Sequence, residues 1–257
     1  MSTALDSIIS GVLEDLAVRK KVRPDIEKYL IDAANPLDCR GALLTKDISI
    51  IAEVKRSSPS KGELAKIEDP IRLAREYEDA GAAVVSVLTE ERRFKGSISD
   101  FEKIREHLRI PMLRKDFIVD EYQVIESRVI GADLLLLIVA ALSQSQLRDY
   151  YQIASELSMN VLFEVHSLEE LELAMAIGPK IVGVNSRNLK TLEVDPRVFS
   201  QIIPKIPNEI IKIAESGISN RGEVVDLENL GVNGILVGET LVRSSNPGTA
   251  IAELMGR

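Results

Sequence analysis

Residues 49–62 read SIIAEVKRSSPSKG, an apolar β-branched run that carries two opposite charges and then breaks into a Ser-Pro-Ser loop ending in glycine. In a β-strand, residues two positions apart share a face, so Glu53 and Lys55 are expected to point the same way at the end of the strand. A charge pair that faces the inside of a sheet is costly unless its members are matched and used. The sequence therefore predicts a functional site where this first strand opens into its loop.

The same alternation of a short apolar run and a longer amphipathic segment continues along the chain. Eight strands are predicted, at Ser49–Val54, Ala83–Leu88, Met112–Arg114, Leu134–Val139, Val161–Glu164, Ile181–Val184, Ile211–Ala214 and Gly234–Val237. Helices with apolar residues at i, i+3, i+4 and i+7 are predicted between them, for example at Pro70–Ala80, Glu121–Ile130, Ser143–Leu157, Leu168–Ile177 and Arg221–Leu230. Cap residues begin three of these helices, at Asp69, Ser143 and Ser167.

The predicted strands are nearly continuous in apolar residues, which is typical of parallel strands that are covered on both faces. Glycines that could end a helix in the left-handed conformation come shortly before alternate strands, at Gly81, Gly131, Gly178 and Gly231. Eight such units predict an α/β fold of the (β/α)8 TIM barrel class, with residues 1–257 as a single domain. A doubly wound open sheet is the alternative, but its G-x-G-x-x-G fingerprint and the G-x-x-x-x-G-K-[ST] loop do not occur.

Residues 1–46 precede the first strand and are predicted to be helical, at Ala4–Arg19 and Pro24–Ala34. They are too few to form an independent domain. We expect an N-terminal helical extension that packs on the barrel, where it could cover one mouth.

Bulk properties narrow the class of protein. The formal net charge of −8 over 257 residues argues against a general nucleic-acid surface but not against a small anionic substrate. The single cysteine, Cys39, rules out an internal disulfide and suits a reducing compartment. No apolar run approaches the roughly 20 residues that span a bilayer, and the first residues lack the features of a signal peptide. We expect a cytoplasmic protein without nucleic-acid or membrane partners.

Polar residues stand at the ends of nearly all predicted strands, which is where barrel enzymes hold their catalytic groups. They are Glu53 and Lys55, Thr89 and Glu90 with Phe94 in the next loop, Arg114 to Phe117, Glu164 to His166, Asn185 to Asn188, Glu215 to Gly217, and Gly238 with Glu239. Scattered surface charge would not keep this register, so one shared site is predicted.

Two strand–glycine–helix turns, at Gly217 and Gly238, follow the seventh and eighth strands. Barrels commonly bind phosphate there on backbone N–H groups, and glycine lets the backbone approach the anion. The alternative is that both are ordinary turn glycines. Ser58, after the first strand, could add a hydroxyl donor, although a simple Ser-Pro turn would also explain it.

The predicted site gathers two lysines, Lys55 and Lys115, with the carboxylates Glu53, Glu164 and Glu215. Close Lys–Glu pairs shift pKa values and can prepare a general acid and base, although a buried structural ion-pair network is the alternative. His166 is interpreted as a loop or capping residue, and His107 as a surface residue. No histidine or cysteine cluster has metal-ligand spacing, so no metal is expected.

Seven ordered segments together resemble the indole-3-glycerol-phosphate synthase family over nearly the whole chain. They are IAEVKRSSPSKG (51–62), SVLTEERRFKGS (86–97), PMLRKDFIVDEYQV (111–124), FEVHSLEEL (163–171), GVNSRNLKTLEVD (183–195), IAESGIS (213–219) and LVGETLVR (236–243). The resemblance implies a carboxy-lyase of tryptophan biosynthesis that needs no cofactor. Such an enzyme closes the indole ring of 1-(2-carboxyphenylamino)-1-deoxyribulose 5-phosphate, releasing carbon dioxide and water.

The resemblance also implies roles for individual residues. Lys115 looks like the general acid and Glu164 like the general base, while Lys55 would meet the substrate carboxylate and Glu53 would orient the lysines. Substrate-contacting positions are matched by Asn185, Arg187, Glu215 and Ser216, and the phosphate cradle by Ser58, Gly217, Gly238 and the backbone of Glu239. Apolar residues that hold the aromatic ring are matched by Phe94, Phe117 and Leu189.

Two other kinds of protein are alternatives to this family. Another phosphosugar barrel, such as phosphoribosylanthranilate isomerase or the α chain of tryptophan synthase, would share the phosphate turns but not the pairing of Glu53-x-Lys55 with Lys115-Asp-Phe. A catalytically dead barrel kept as a binding scaffold would be expected to have lost Lys55, Lys115 or Glu164, and all three are present. Association with other enzymes of the tryptophan pathway stays undetermined.

Overall fold

Eight parallel strands close into a barrel in the computed structural model, which describes residues 3–257. The strands are β1 (Ser49–Val54), β2 (Val84–Leu88), β3 (Met112–Lys115), β4 (Leu134–Ile138), β5 (Asn160–Val165), β6 (Ile181–Asn185), β7 (Ile211–Glu215) and β8 (Gly234–Val237). The barrel closes because β1 pairs with both β2 and β8, so that Ile51 lies between Val84 and Leu236. The predicted (β/α)8 class is therefore confirmed, with strand bounds within one residue of the predictions.

Residues of each strand alternate between the barrel interior and the layer under the helices. In β1, Ile51 belongs to the interior cluster, whereas Ile50 and Ala52 pack in the outer layer. Four charged residues each follow an interior apolar residue by two positions and therefore also point inward. They are Glu53 after Ile51, Lys115 after Leu113, Glu164 after Leu162 and Glu215 after Ile213.

The helices cover the outside of the barrel and begin at the predicted caps. Asp69, Ser143 and Ser167 each accept a hydrogen bond from a backbone N–H in the first turn of their helix. The helices after β1 are α3 (Pro70–Asp79), α4 (Ile98–Arg105), α5 (Glu121–Val129), α6 (Gln144–Glu156), α7 (Leu168–Met175), α8 (Arg197–Ile202), α9 (Arg221–Asn229), α10 (Glu239–Arg243) and α11 (Pro247–Met255). Short 3-10 turns also occur at Val139–Ala141 and Ile203–Lys205.

The N-terminal extension differs in part from its prediction. Its first helix, α1 (Ala4–Val22), extends one turn beyond the predicted end. The second segment is a 3-10 helix, Ile26–Asp32, in which only Ile26 is buried, so no continuous apolar face favours an α-helix. A five-residue helix, α2 (Cys39–Leu43), follows and was not predicted.

Ion pairs attach α1 to the barrel. Arg92, in the loop after β2, lies 2.7 Å from both Glu14 and Asp15 of α1. Among residues 3–257, no helix is long and apolar enough to cross a membrane.

Candidate active site

A cavity of about 550 Å³ opens at the carboxyl ends of the strands. Ile8 of α1 contributes to its lining, so the N-terminal helix lies over this mouth. The residues that the sequence assigned to catalysis and to substrate binding all line it: Glu53, Lys55, Ser58, Phe94, Lys115, Phe117, Glu164, Asn185, Arg187, Leu189, Glu215, Ser216, Gly217, Gly238 and Glu239. Other residues predicted at the strand ends do not line it: Thr89, Glu90, Arg114, His166, Ser186 and Asn188. The fold thus brings together side chains that are up to 186 positions apart in the sequence (Glu53 to Glu239).

Lys115 lies at the centre of the charged cluster. Its Nζ atom donates hydrogen bonds to Glu164 Oε2 at 2.7 Å and to Glu215 Oε2 at 2.6 Å. Burial alone would lower the pKa of this ammonium, but Glu164, Glu215 and Glu53 outweigh burial and raise the pKa above its ordinary value. Lys115 is therefore protonated at neutral pH.

The two carboxylates on Lys115 titrate differently. Burial would raise the pKa of Glu164, but Lys115 and His166 outweigh burial and hold that pKa well below its usual range. Burial raises the pKa of Glu215 to about 7, and the nearby charges of Glu164 and Glu53 act in the same direction. Among residues 3–257, Glu215 Oε1 has no hydrogen-bond partner. One carboxylate is thus firmly ionised, while its neighbour can take up a proton near neutrality.

Glu53 and Lys55 form a second ion pair, with 2.8 Å between Oε1 and Nζ. The prediction that both point the same way is confirmed. Gly238 on the neighbouring turn makes room for Glu53, because a Cβ atom there would overlap the Glu53 carboxylate. Gly183 makes the same room for Glu215.

The two turns after β7 and β8 form one end of the cavity. Ser216 and Gly217 have positive φ angles of 68° and 72°, which turns the chain sharply after the strand. Thr240 Oγ1 donates a hydrogen bond to the carbonyl of Ile218 at 2.8 Å and ties the two turns together. The buried hydroxyl of Ser58 lines the same cavity, and nothing within residues 3–257 hydrogen-bonds it. This end offers backbone and hydroxyl donors to an anion.

Another part of the cavity lining is apolar and aromatic. Phe94 and Phe117 lie with ring centroids 6.0 Å apart, and Leu189 joins them in the lining. Beside this wall, Arg187 Nη1 donates hydrogen bonds to Ser60 Oγ and to the carbonyl of Leu192, both at 3.0 Å. The cavity therefore combines backbone and hydroxyl donors, a cluster of charged side chains and an apolar, aromatic surface.

Sequence reasoning missed three residues near the site. Ile8 reaches the cavity from the N-terminal helix, and no local pattern marks it out. Arg243 lies one helical turn after Glu239, with 3.4 Å between Nε and Oε1, and this i,i+4 spacing was a readable signal. His107 is exposed, as predicted. His166 lies in the loop before α7, as predicted, and in addition buries its ring against Glu164, with 3.3 Å between Nε2 and Oε1.

No group of three or more His, Cys, Asp or Glu side chains within the described residues is arranged to hold a metal ion.

Solved structures with low sequence identity share the barrel. A variant tryptophan synthase α-subunit from Pyrococcus furiosus aligns with a TM-score of 0.64 at 16% identity, over 83% of this chain and 100% of its own. A 3-hexulose-6-phosphate synthase from Salmonella typhimurium aligns with a TM-score of 0.66 at 13% identity, over 81% and 97%. At such identities the likeness shows the fold alone.

Sequence comparisons are more specific. The family model described as indole-3-glycerol phosphate synthase matches residues 5–254. Curated proteins of that name are 48% identical in Mycobacterium avium (strain 104), over 99% of this chain and 94% of the relative, and 50% identical in Rhodococcus opacus (strain B4), over 98% and 95%. A family-wide match of this extent, on a chain with this cavity, leaves one conclusion: the chain belongs to the indole-3-glycerol phosphate synthase family.

Proposed function

We propose that this enzyme closes the indole ring of 1-(2-carboxyphenylamino)-1-deoxyribulose 5-phosphate, with Lys115 as general acid and Glu164 as general base. Family membership gives the chain the activity of an indole-3-glycerol phosphate synthase, a carboxy-lyase of tryptophan biosynthesis. The observation that carries the finer assignment is the Lys115 ammonium, held between Glu164 and Glu215 on the floor of the cavity.

The shape and charge of the cavity support this substrate. Its phosphate would lie at the turns of Gly217 and Gly238, on the Ser58 hydroxyl and the backbone N–H of Glu239. Its aromatic ring would lie against the wall of Phe94, Phe117 and Leu189. Its carboxylate would contact Lys55, which Glu53 orients. The carbon chain of the substrate, between its ring and its phosphate, would contact Asn185, Arg187 and Ser216.

Lys115 suits the first chemical step. The ring carbon that bears the carboxylate attacks the ketone carbon and forms the new carbon–carbon bond, while the ketone oxygen takes a proton from Lys115 and becomes a hydroxyl. Because neighbouring carboxylates keep Lys115 protonated, the acid is present at neutral pH. The carbon–carboxylate bond then breaks, carbon dioxide leaves, and the electron pair returns to the ring.

Glu164 suits the last step. The hydroxyl takes up a second proton, from a lysine ammonium of the site, and leaves as water, while Glu164 accepts the proton that the ring intermediate loses as the indole forms. The low pKa of this carboxylate keeps it ionised, as a base must be, but also lowers its proton affinity, so proton transfer relies on its position beside the substrate. Side chains handle every proton in this sequence and no step changes a redox state, so the proposal includes no cofactor.

Indole fluorescence tests the proposal directly. The chain has no tryptophan, so an indole signal that grows after substrate is added to the purified protein comes from product. We expect Lys115→Met to lower kcat by about 10²- to 10⁴-fold, the usual contribution of general acid–base catalysis, or by more. Lys66→Met is the matched control, since the Lys66 side chain is 80% exposed and its ion-pair partner, Glu68, is also exposed.

Two further measurements complete the test. Lys115→Met leaves Glu164 and Glu215 without their cation, so circular dichroism and the Tm must show that the variant is folded. Glu164→Gln, which keeps the size of the side chain, should lower kcat far more than it changes KM. Near-normal kcat in folded Lys115→Met would reject the general acid, and near-normal kcat in Glu164→Gln would reject the base. Substrate binding without product in the unaltered protein would favour a scaffold.

A further inference from the structure

Glu164 has a charged neighbour on each of its two oxygens. Lys115 Nζ lies 2.7 Å from Oε2, and His166 Nε2 lies 3.3 Å from Oε1. The His166 side chain is only 8% exposed, which is unusual for a residue in a strand-to-helix loop. The proposed reaction gives His166 no role, yet its imidazole lies directly beside the Glu164 carboxylate.

The first turn of α7 fixes the orientation of the His166 ring. Nδ1 lies 3.0 Å from Glu170 Oε2, and the same oxygen accepts the backbone N–H of His166 at 2.8 Å. Ser167 caps α7 by accepting the backbone N–H of Glu170, which anchors that residue in turn. The contacts with Glu170 thus hold the His166 ring so that its Nε2 atom faces Glu164.

Carboxylates at both ring nitrogens determine the protonation state of His166. A neutral imidazole has one N–H and one lone pair, so one of its nitrogens would present a lone pair to a carboxylate oxygen. Only the doubly protonated imidazolium offers an N–H to both Glu164 and Glu170. The contact to Glu164 lies outside hydrogen-bond geometry and acts as an ion pair, whereas the contact to Glu170 is within hydrogen-bond distance.

We propose that His166 is a positioning residue: as an imidazolium held by Glu170, it fixes the Oε1 side of Glu164 and keeps that carboxylate ionised. The inference rests on the proposed role of Glu164 as the base. It assigns His166 no contact with substrate, and it makes the Glu170–His166–Glu164 chain a second support for the carboxylate beside Lys115.

Titration agrees with this geometry. Burial would lower the pKa of His166, but Glu164 and Glu170 outweigh burial and raise it to about 9. The charged groups around the ring are Glu164 from β5 and Glu170 from α7, with Lys115 and Glu215 beyond Glu164. Since the pKa of Lys115 is raised above its ordinary value of 10.5, a loss of activity near pH 9 would report on His166 rather than on Lys115.

The experiment is a kcat–pH profile between pH 6 and 10, followed by indole fluorescence. In the unaltered enzyme, kcat should fall as the pH rises through about 9, because the imidazolium is lost there. In His166→Phe, kcat at pH 7 should already be about 10- to 100-fold lower with little change in KM, and the decline near pH 9 should be absent. In Glu170→Gln, the decline should move down by about one pH unit, because a carboxylate beside the ring is gone.

His107→Phe is the matched control, because it removes the other histidine of the chain at an exposed position and should leave the profile unchanged. If His166→Phe is poorly folded, Glu170→Gln still tests the inference, since it keeps the ring. A decline near pH 9 that persists in folded His166→Phe would overturn the inference, as would an unaltered enzyme with a flat kcat through pH 10. Failure of the base itself shows separately, as normal kcat in Glu164→Gln.

Discussion

Glu164 and Glu215 share one ammonium, yet their surroundings separate their chemistry. Glu164 has two cationic neighbours, Lys115 and His166, which hold its pKa low. Glu215 has only Lys115, and its burial near two other carboxylates raises its pKa to about 7. At neutral pH the first is ionised while the second is partly protonated. A pair of chemically identical side chains thereby acquires two different proton affinities.

His166 should make the stability of the enzyme depend on pH. Its pKa is raised from 6.5 to about 9 by folding, so its contribution is fully present below pH 6.5 and is lost as the pH rises through 9. The free energy of unfolding should therefore fall by up to about 3 kcal/mol over this window. Urea unfolding at several pH values measures it. His166→Gln should remove most of the decline, and an unchanged pH dependence in that variant would contradict the prediction.

The sequence predicted the charged residues of the site but not their connections. Glu53, Lys115, Glu164 and Glu215 could be found because a charge at the end of an apolar strand is out of place unless it is used. His166 could not, since its role depends on Glu170 bending back over the loop, a contact that resembles ordinary helix capping in the sequence. Ile8 could not either, because the path of the N-terminal helix over the barrel has no local signal.

Among the elements, the odd-numbered strands supply the charged layer. Glu53, Lys115, Glu164 and Glu215 lie on β1, β3, β5 and β7, in keeping with barrels in which alternate strands fill each interior layer. Gly183 in β6 and Gly238 in the turn after β8 stand where a Cβ atom would overlap a carboxylate. The space for two of the three buried carboxylates, Glu215 and Glu53, is thus provided by glycines on neighbouring elements.

Gly183→Ala tests this division of space. The added methyl group would overlap Glu215 and push its carboxylate away from Lys115, so we expect kcat to fall at least about tenfold and stability to fall by about 1–3 kcal/mol. Gly248→Ala, on α11, is the matched control because its added Cβ would meet its nearest neighbour at 3.5 Å. Indole fluorescence and urea unfolding measure both variants. Normal kcat in Gly183→Ala would show that the carboxylate can shift without harm.

Element boundaries were predictable where the apolar pattern was continuous. The strands lie within one residue of their predictions because each is a nearly continuous apolar run, and the polar residues that follow it mark its end clearly. The segment predicted to be helical at Pro24–Ala34 is helical, but it forms a shorter 3-10 helix, Ile26–Asp32. It lies between prolines and buries a single residue, so the periodic signal was too short to distinguish an α-helix from a 3-10 helix.

Across the whole molecule, a series of ion pairs connects the N-terminal helix to β3, the strand that carries Lys115. Arg19 of α1 lies 2.9 Å from Glu126 of α5, and the other oxygen of Glu126 lies 2.9 Å from Arg114 of β3. Arg114 is fully buried, also pairs with Asp116 at 3.1 Å, and immediately precedes Lys115. The strand that carries the proposed acid is therefore linked to the N-terminal helix through Arg114, Glu126 and Arg19.

Removal of Arg114 should be far more harmful than removal of Arg19. Arg114→Met leaves Glu126 and Asp116 buried without their shared cation, which should lower the free energy of unfolding by about 3–5 kcal/mol. Arg19→Met removes a partner whose side chain is 26% exposed and should cost about 1 kcal/mol or less. Urea unfolding of the two variants provides the comparison. Equal losses would mean that water reaches Arg114 after all.

The closure of the barrel has a consequence for how the enzyme is made. β1 pairs with β8, and Gly238 after β8 lies against Glu53 of β1, so the earliest and latest strands complete one another. The ribosome synthesises β1 long before β8, and until β8 is made the edge of β1 that pairs with it has no partner. During synthesis, the growing chain therefore carries Lys115 and Glu164 before the cavity that brings them together can form. That cavity is complete only when the final strand has emerged and the ring of strands has closed.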